Sequence, residues 1–315
     1  MSAGIQNQIG IGKESTFGTP VAPTVFIPIK ESDGIQINQD IQFLEAIKGT
    51  APKNKGAFVG KIELSGGYES DTYPVFLGHV LLSAFGALNS AQVGGETIVY
   101  KHTFTEGFAK QSYTVEQKIG EIVKRFAGYI VKNIKIEGKV GEAVGVSFDG
   151  MGKSQADASL TTRTYENTRP FNFADVVNVR IGAVEVKAQC EEFSLEYDNG
   201  LEAFYGMGSN NLQASYPTPS ECKGKLTLYL DNTTKDFLAD YIAKTERSLE
   251  IKIEGDAIGN SSKYALRAYL PRAVFTSVPM KLANNYNAME IEFEGVEDTS
   301  NGLVTVELTN LLTSY

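Results

Sequence analysis

Along much of the chain apolar and polar residues alternate with a period of two. Lys61-Ile62-Glu63-Leu64, Asn133-Ile134-Lys135-Ile136-Glu137, Leu249-Glu250-Ile251-Lys252-Ile253-Glu254 and Met289-Glu290-Ile291-Glu292-Phe293-Glu294 are the clearest runs. A strand turns successive side chains to opposite faces, so each run predicts a half-buried β-strand. Two stretches instead carry a helical stripe. Ser70 to Phe85 aligns Tyr73, Phe76, Leu77 and Val80, with Pro74 in the first turn, where it is tolerated. Asn232 to Lys244 aligns Phe237, Leu238, Tyr241 and Ile242, and Thr233 with Asp236 approximates a capping box. The pattern predicts a mainly β protein.

The pattern also repeats. Gly60-Lys61-Ile62-Glu63-Leu64 matches Gly224-Lys225-Leu226-Thr227-Leu228, and each run leads into one of the two helical stripes. Ser112–Val115 then parallels Ser248–Ile251, Gly128–Lys132 parallels Ala268–Arg272, and Val144–Gly150 parallels Met289–Gly295. The order predicts two copies of one strand–strand–helix–strand–strand domain, residues 1–152 and 171–315. The Ser/Thr-rich polar stretch 153–170 between them reads as a linker. Residues 1–23, rich in Gly and small polar groups, read as an arm that is loose in the single chain and ordered by assembly. A fused pair of like domains can fill two neighbouring places in a ring, so that three chains make a pseudo-six-fold ring.

Composition narrows the function. Of the 315 residues 42% are hydrophobic and 21% charged, as in a soluble folded protein, and no apolar run approaches the roughly 20 residues of a membrane span. The first residues lack a signal-peptide pattern, so synthesis in a cytoplasm is expected. Residues 1–155 balance 15 basic with 15 acidic side chains, whereas residues 156–315 set 14 against 23. An acidic half disfavours a grip on nucleic-acid phosphates. Cys190 and Cys222 read as reduced and partly buried.

Catalytic signatures are sparse. His79, on the first helix, and His102, in a strand-like run, have no HxxxH, HExxH or CxxC spacing around them for a metal, and both read as structural. Neither a GxSxG elbow nor a GxxxxGK[ST] loop occurs, and Gly10-Ile11-Gly12-Lys13 and Gly206-Met207-Gly208-Ser209 read as turns. The sequence gives no reason to expect an enzyme, a cofactor or a metal.

The opening Ile9-Gly10-Ile11-Gly12-Lys13-Glu14-Ser15-Thr16-Phe17-Gly18-Thr19-Pro20, followed by Phe26-Ile27-Pro28-Ile29-Lys30-Glu31-Ser32, resembles the start of the phage tail tube (major tail) protein family. That family shows a GxGxExTxGT lead-in before an FxPxxSE-like first strand, and here Lys-Glu-Ser replaces a plain Ser-Glu pair. The resemblance implies β-sandwich or barrel-like domains, each with one flanking helix, and in some members two fused domains and a trimeric ring. It implies a virion tail protein whose rings close into a channel carrying the tape-measure protein and then the genome. Further implied partners are copies of the chain itself, tail-tip or baseplate proteins and a tail terminator.

Within that picture Glu290, Glu292 and Glu294, then Glu250 and Glu254, are expected to line the channel, where like charge keeps DNA from sticking. Two long loops in matching places, 49–56 with Pro52, Lys53, Asn54 and Lys55, and 208–217 with Asn210, Asn211 and Tyr216, are expected to touch the adjacent ring. The competing readings are a capsid decoration or tail-tip adhesion protein with two β-domains, and a carboxylate enzyme such as a glycosidase. The absence of Trp, the usual sugar platform, disfavours the last.

Overall fold

Alternating runs become strands because one face of each has apolar side chains to bury. The computed structural model describes residues 6–30, 33–282 and 287–315. The first half holds β1 (Gln8–Lys13), β2 (Val25–Ile27), β3 (Gly34–Glu45), β4 (Asn54–Asp71), α1 (Phe76–Phe85), β5 (Gly86–Gln92), β6 (Tyr100–Glu106), β7 (Tyr113–Ile119), β8 (Ile122–Lys139), β9 (Gly145–Gly152) and β10 (Ser154–Asp157). The second holds β11 (Val176–Ile181), β12 (Val184–Glu185), β13 (Cys190–Asp198), β14 (Leu201–Phe204), β15 (Ala214–Pro217), β16 (Glu221–Tyr229), α2 (Phe237–Ala243), β17 (Arg247–Ile258), β18 (Ser262–Ser277), β19 (Met280–Leu282), β20 (Asn287–Gly295) and β21 (Thr305–Asn310). All four alternating runs lie in strands. Both helices start later than their stripes predict. Ser70 and Asp71 still belong to β4, and residues 232–236 form a turn in which Asp231, not Thr233, accepts the backbone N–H groups of Thr233 and Thr234.

Strand pairing repeats in order. One series runs β3-β4-β9-β8-β7-β1 and the other β13-β16-β20-β18-β17-β11, all antiparallel. Irregularities repeat as well. Tyr113 to Val115 of β7 spans Tyr129 to Phe126 of β8, and Arg247 to Leu249 of β17 spans Ala273 to Leu270 of β18, two residue steps against three in both cases. A second bulge puts Lys132 out of register with β9 and Thr276 out of register with β20. Bulges fix local twist and register, so they define which residues correspond: Lys132 with Thr276, and Ile134 with Val278. The sequence matches found the right strands a few residues out of step. Gly224 corresponds to Gly66, since they face Leu195 and Ile35 respectively, rather than to Gly60.

The halves are not separate in space. The C-terminal part of β8 pairs with β13, from Asn133↔Asp198 to Lys139↔Glu192. Likewise β21 bridges β18 of the second half to β6 of the first. Eight strands therefore form one continuous sheet in the order β3-β4-β9-β8-β13-β16-β20 and then β18 with its continuation β19. Inward side chains of this sheet, Ile136, Phe193 and Leu195, meet Ile251, Ile253, Leu266 and Ala268 of β17 and the first part of β18 around a small void. Burying each such side chain contributes about 1.5–3 kcal/mol.

The stretch 153–170 is strapped along the first half. It contains β10, paired with β8, and Glu166, whose carboxylate accepts the N–H groups of Val75 and Phe76 at the start of α1.

Candidate functional site

The glycine-rich opening is a clamp built into the fold. Contrary to the expectation of turns and a loose arm, Gly10–Lys13 lie in β1, which pairs with both β2 and β7, and Ile9 and Ile11 are buried. Residues 1–5 lie outside the described residues. A Cβ on Gly10 would meet the Phe26 ring at 2.8 Å, and one on Gly12 the Ala22 carbonyl oxygen at 2.5 Å, so the strands approach this closely only with glycine. Glu14 is buried, and its carboxylate accepts from Gly18 N, Ser112 Oγ, Thr114 Oγ1 and Gly128 N at 2.7–2.8 Å. Four donors offset the cost of burying a charge. Lys13 donates to the Tyr315 carbonyl at 2.7 Å.

The second feature is the open face of the eight-stranded sheet. Glu290, Glu292 and Glu294 alternate with core residues Met289, Ile291 and Phe293, so all three lie on that face. Lys223 and Lys225 stand across from Glu294 and Glu292 on β16. Glu290 is bridged by Lys225 at 2.6 Å and by Lys281, and these two ammonium groups hold its carboxyl below the usual range. Glu196 and Asp198 of β13 and Asp149 of β9 flank Asn133 of β8 on the same face. Burial and the nearby Asp198 raise the Asp149 carboxyl above its ordinary range. The face is acidic with interleaved lysines.

Glu250 and Glu254 are not part of it. They sit on β17, whose inward residues Ile251 and Ile253 pack against the inward side of the eight-stranded sheet, so they lie on the opposite outer surface. There Glu250 bonds Arg267 and Asn178, which outweigh its burial, and Glu254 bonds Lys252 and Lys263. Sequence alternation marks which strand face a residue takes, but not which layer the strand joins.

The two long loops do occupy matching places. Residues 49–56 cap the β3–β4 hairpin, and 208–217 belong to the β14–β15 excursion between β13 and β16. The hairpin projects with exposed apolar residues, among them Ile41, Phe43, Phe58 and Ile47. At its tip Lys53 pairs with Glu45 at 2.8 Å, Pro52 and Asn54 are exposed, and the half-buried Lys55 donates to Thr50 O at 3.2 Å and to Thr50 Oγ1 at 2.6 Å. Asn210 is held within the chain, donating to Val59 O and accepting from Ile62 N, both at 2.7 Å. Asn211 turns back on Ser209, and Tyr216 of β15 stays half exposed.

Gln117 had no signal in the sequence beyond being a polar residue in a strand. It is buried on β7, and its side-chain amide bonds both peptide groups of Ile35 on the outer edge of β3.

Titratable groups elsewhere are tied into packing. His79 and His102 lie against the Tyr315 ring, His79 bonds the Tyr113 hydroxyl and His102 bonds Ser90 and Asn310. Burial pushes the Cys190 thiol up to about 12 and Cys222 higher still, which leaves both unreactive near neutrality. Among the described residues, no three His, Cys, Asp or Glu side chains are grouped as a metal would need, and no helix is long and apolar enough to cross a membrane.

The comparisons agree with the opening motif and extend it. No curated relative matches the sequence. The family model for the phage tail tube protein matches residues 4–309, nearly the whole chain. The chain belongs to the phage tail tube protein family.

Proposed function

We propose that the chain is a two-domain tube subunit, with domains 1–152 and 171–315 joined by 153–170, three copies of which close into a pseudo-six-fold ring. Rings stack into the tail tube, and the channel carries the tape-measure protein and then passes DNA during ejection. Tail-tip or baseplate proteins and a terminator bound its ends. The chain is made in the host cytoplasm and ends in the virion.

The observation that carries this reading is the eight-stranded sheet with the same four-strand order twice and two outer edges that, among the described residues, have no strand partner. Such a sheet is one third of a three-chain ring, and closure is the general way to remove strand edges. At about 4.8 Å per strand, the roughly 24 strands of three chains trace a circle on the order of 37 Å across, which tilt widens further. The open face with Glu290, Glu292 and Glu294 lines the channel, and its acidity keeps passing DNA mobile. Glu250 and Glu254 face outward from the ring. The projecting β3–β4 hairpin, with Pro52, Lys53, Asn54 and Lys55 at its tip, reaches the adjacent ring, and its exposed apolar residues become buried there.

Negative-stain electron microscopy of the concentrated protein tests the reading. Hollow striated tubes whose end views average to three chains are expected. Monomers or small closed oligomers only, even with tail-tip complex added as a nucleus, would overturn it in favour of a decoration or adhesion protein.

A further inference from the structure

The seam inside the chain is a template for the seam between chains. At the middle of the eight-stranded sheet, β8 pairs with β13 in a fixed register: Asn133↔Asp198, Ile134↔Tyr197, Lys135↔Glu196, Ile136↔Leu195. The shared bulges equate Asn133, Ile134, Lys135 and Ile136 with Ser277, Val278, Pro279 and Met280. Pairing with β4 and β16 equates Leu195, Glu196, Tyr197 and Asp198 with Ile35, Gln36, Ile37 and Asn38. These equivalents are the two outer edges of the sheet.

Resting on the ring reading above, we propose that β3 of one copy pairs antiparallel with the β18–β19 edge of the next, in the register Asn38↔Ser277, Ile37↔Val278, Gln36↔Pro279, Ile35↔Met280.

Three observations support this register. Pro279, which has no N–H, accepts from Glu290 N, so its backbone faces β20. Alternation then turns the peptide groups of Val278 and Met280 to the open edge, and the proline costs the seam no donor. On the other edge the Gln117 amide bonds Ile35 N and Ile35 O, which shows that Ile35, and by alternation Ile37, point away from β4. The position matching Gln117 in the second half is Ile251, and there β8 fills the edge; Gln117 holds Ile35 in the single chain and releases it when Met280 pairs there. Finally, the inward side chains match in kind. Ile134–Tyr197 and Ile136–Leu195 are replaced by Val278–Ile37 and Met280–Ile35, and Met280 is left 52% exposed in the single chain.

Cysteine pairing tests the register. Asn38 and Ser277 form a non-hydrogen-bonded pair on the open face, where Cα atoms lie about 4.5 Å apart, within disulfide reach. Under mild oxidation the Asn38→Cys and Ser277→Cys chains, mixed, are expected to give a linked dimer on a non-reducing gel. The chain carrying both is expected to give a ladder ending at the closed ring. Ile37→Cys with Ser277→Cys points the thiols to opposite faces and is expected to stay unlinked. In the assembled wild-type protein, the Ile37 and Val278 amides are expected to become protected from hydrogen exchange, a readout that needs no variant. Tubes that form without the Asn38–Ser277 link, or with those amides unprotected, would overturn the register while leaving the tube reading intact. Linked closed rings that never stack would keep the seam and sink the tube.

Discussion

The two helices hold matching places in the repeated strand order, yet one is enclosed and the other is bare. In α1 nine of the ten residues are buried, whereas in α2 only Phe237 is, and Tyr241 and Ile242 of its apolar stripe stand exposed. The difference comes from the segments that lie across each helix. Glu166 from the strap satisfies the first N–H groups of α1, Asn199 donates to Ala84 O near its end, and Asn310 donates to Pro74 O just before it. The Tyr315 ring then seats on Gly78, where any Cβ would lie 2.0 Å from the ring. The same strand scaffold thus carries one helix as core and one as surface, and only what crosses over it decides which. A similar contrast separates Gln117 from Ile251: one covers a strand edge that the other leaves to β8.

The contrast can be broken from the largest effect down. Tyr315→Ala removes the lid of α1 and leaves a cavity over Gly78; a loss of about 3–5 kcal/mol in chemical unfolding is expected, as for other buried aromatics. An unchanged midpoint would mean that α1 holds without its cover. The next effect is set by acid. Burial, helped by nearby Lys13, depresses the His79 imidazole to about 4. A folded value below the unfolded one of about 6.5 favours the neutral form. Its contribution is therefore whole above pH 6.5 and is lost as the pH falls toward 4, on the order of 3 kcal/mol. His79→Gln should flatten that part of the stability–pH curve, and a curve of the same slope would assign the loss to other groups. The second half contains no histidine, and it enters this dependence only through the Tyr315 ring packed on His79. The smallest effect is expected at α2. Ile242→Ser, at a side chain 72% exposed, should shift single-chain stability by no more than about 0.5 kcal/mol. A large loss there would show that α2 is covered in solution.

Much of the fold was legible because alternation is a direct consequence of half-burial. All four alternating runs lie in strands, each helical stripe contains a helix that begins later than the stripe, and the strand order repeats with the sequence matches a few residues out of step. Register was less legible. The bulges at Lys132 and Thr276 carry no sequence signature, so the repeat was matched by glycines that fall six residues apart in structural terms. The clamp at Glu14 was visible only as a motif, because its four donors come from three separate segments. Glu250 and Glu254 were grouped with Glu290 because both strands alternate, and alternation does not say that the two strands lie on opposite sides of one core. Lys281, which shares Glu290 with Lys225, was hidden because it reaches that carboxylate from the neighbouring strand β19.

The β8–β13 seam also has an entropic side. Two free chains that join lose translational and rotational freedom worth about 4–15 kcal/mol. Tethering them through the 153–170 strap replaces that with a loop-closure cost that grows only as about (3/2)RT ln n. Every seam made within the chain is formed at folding, independent of protein concentration. In the proposed ring, by contrast, the seams between copies depend on how much protein is present.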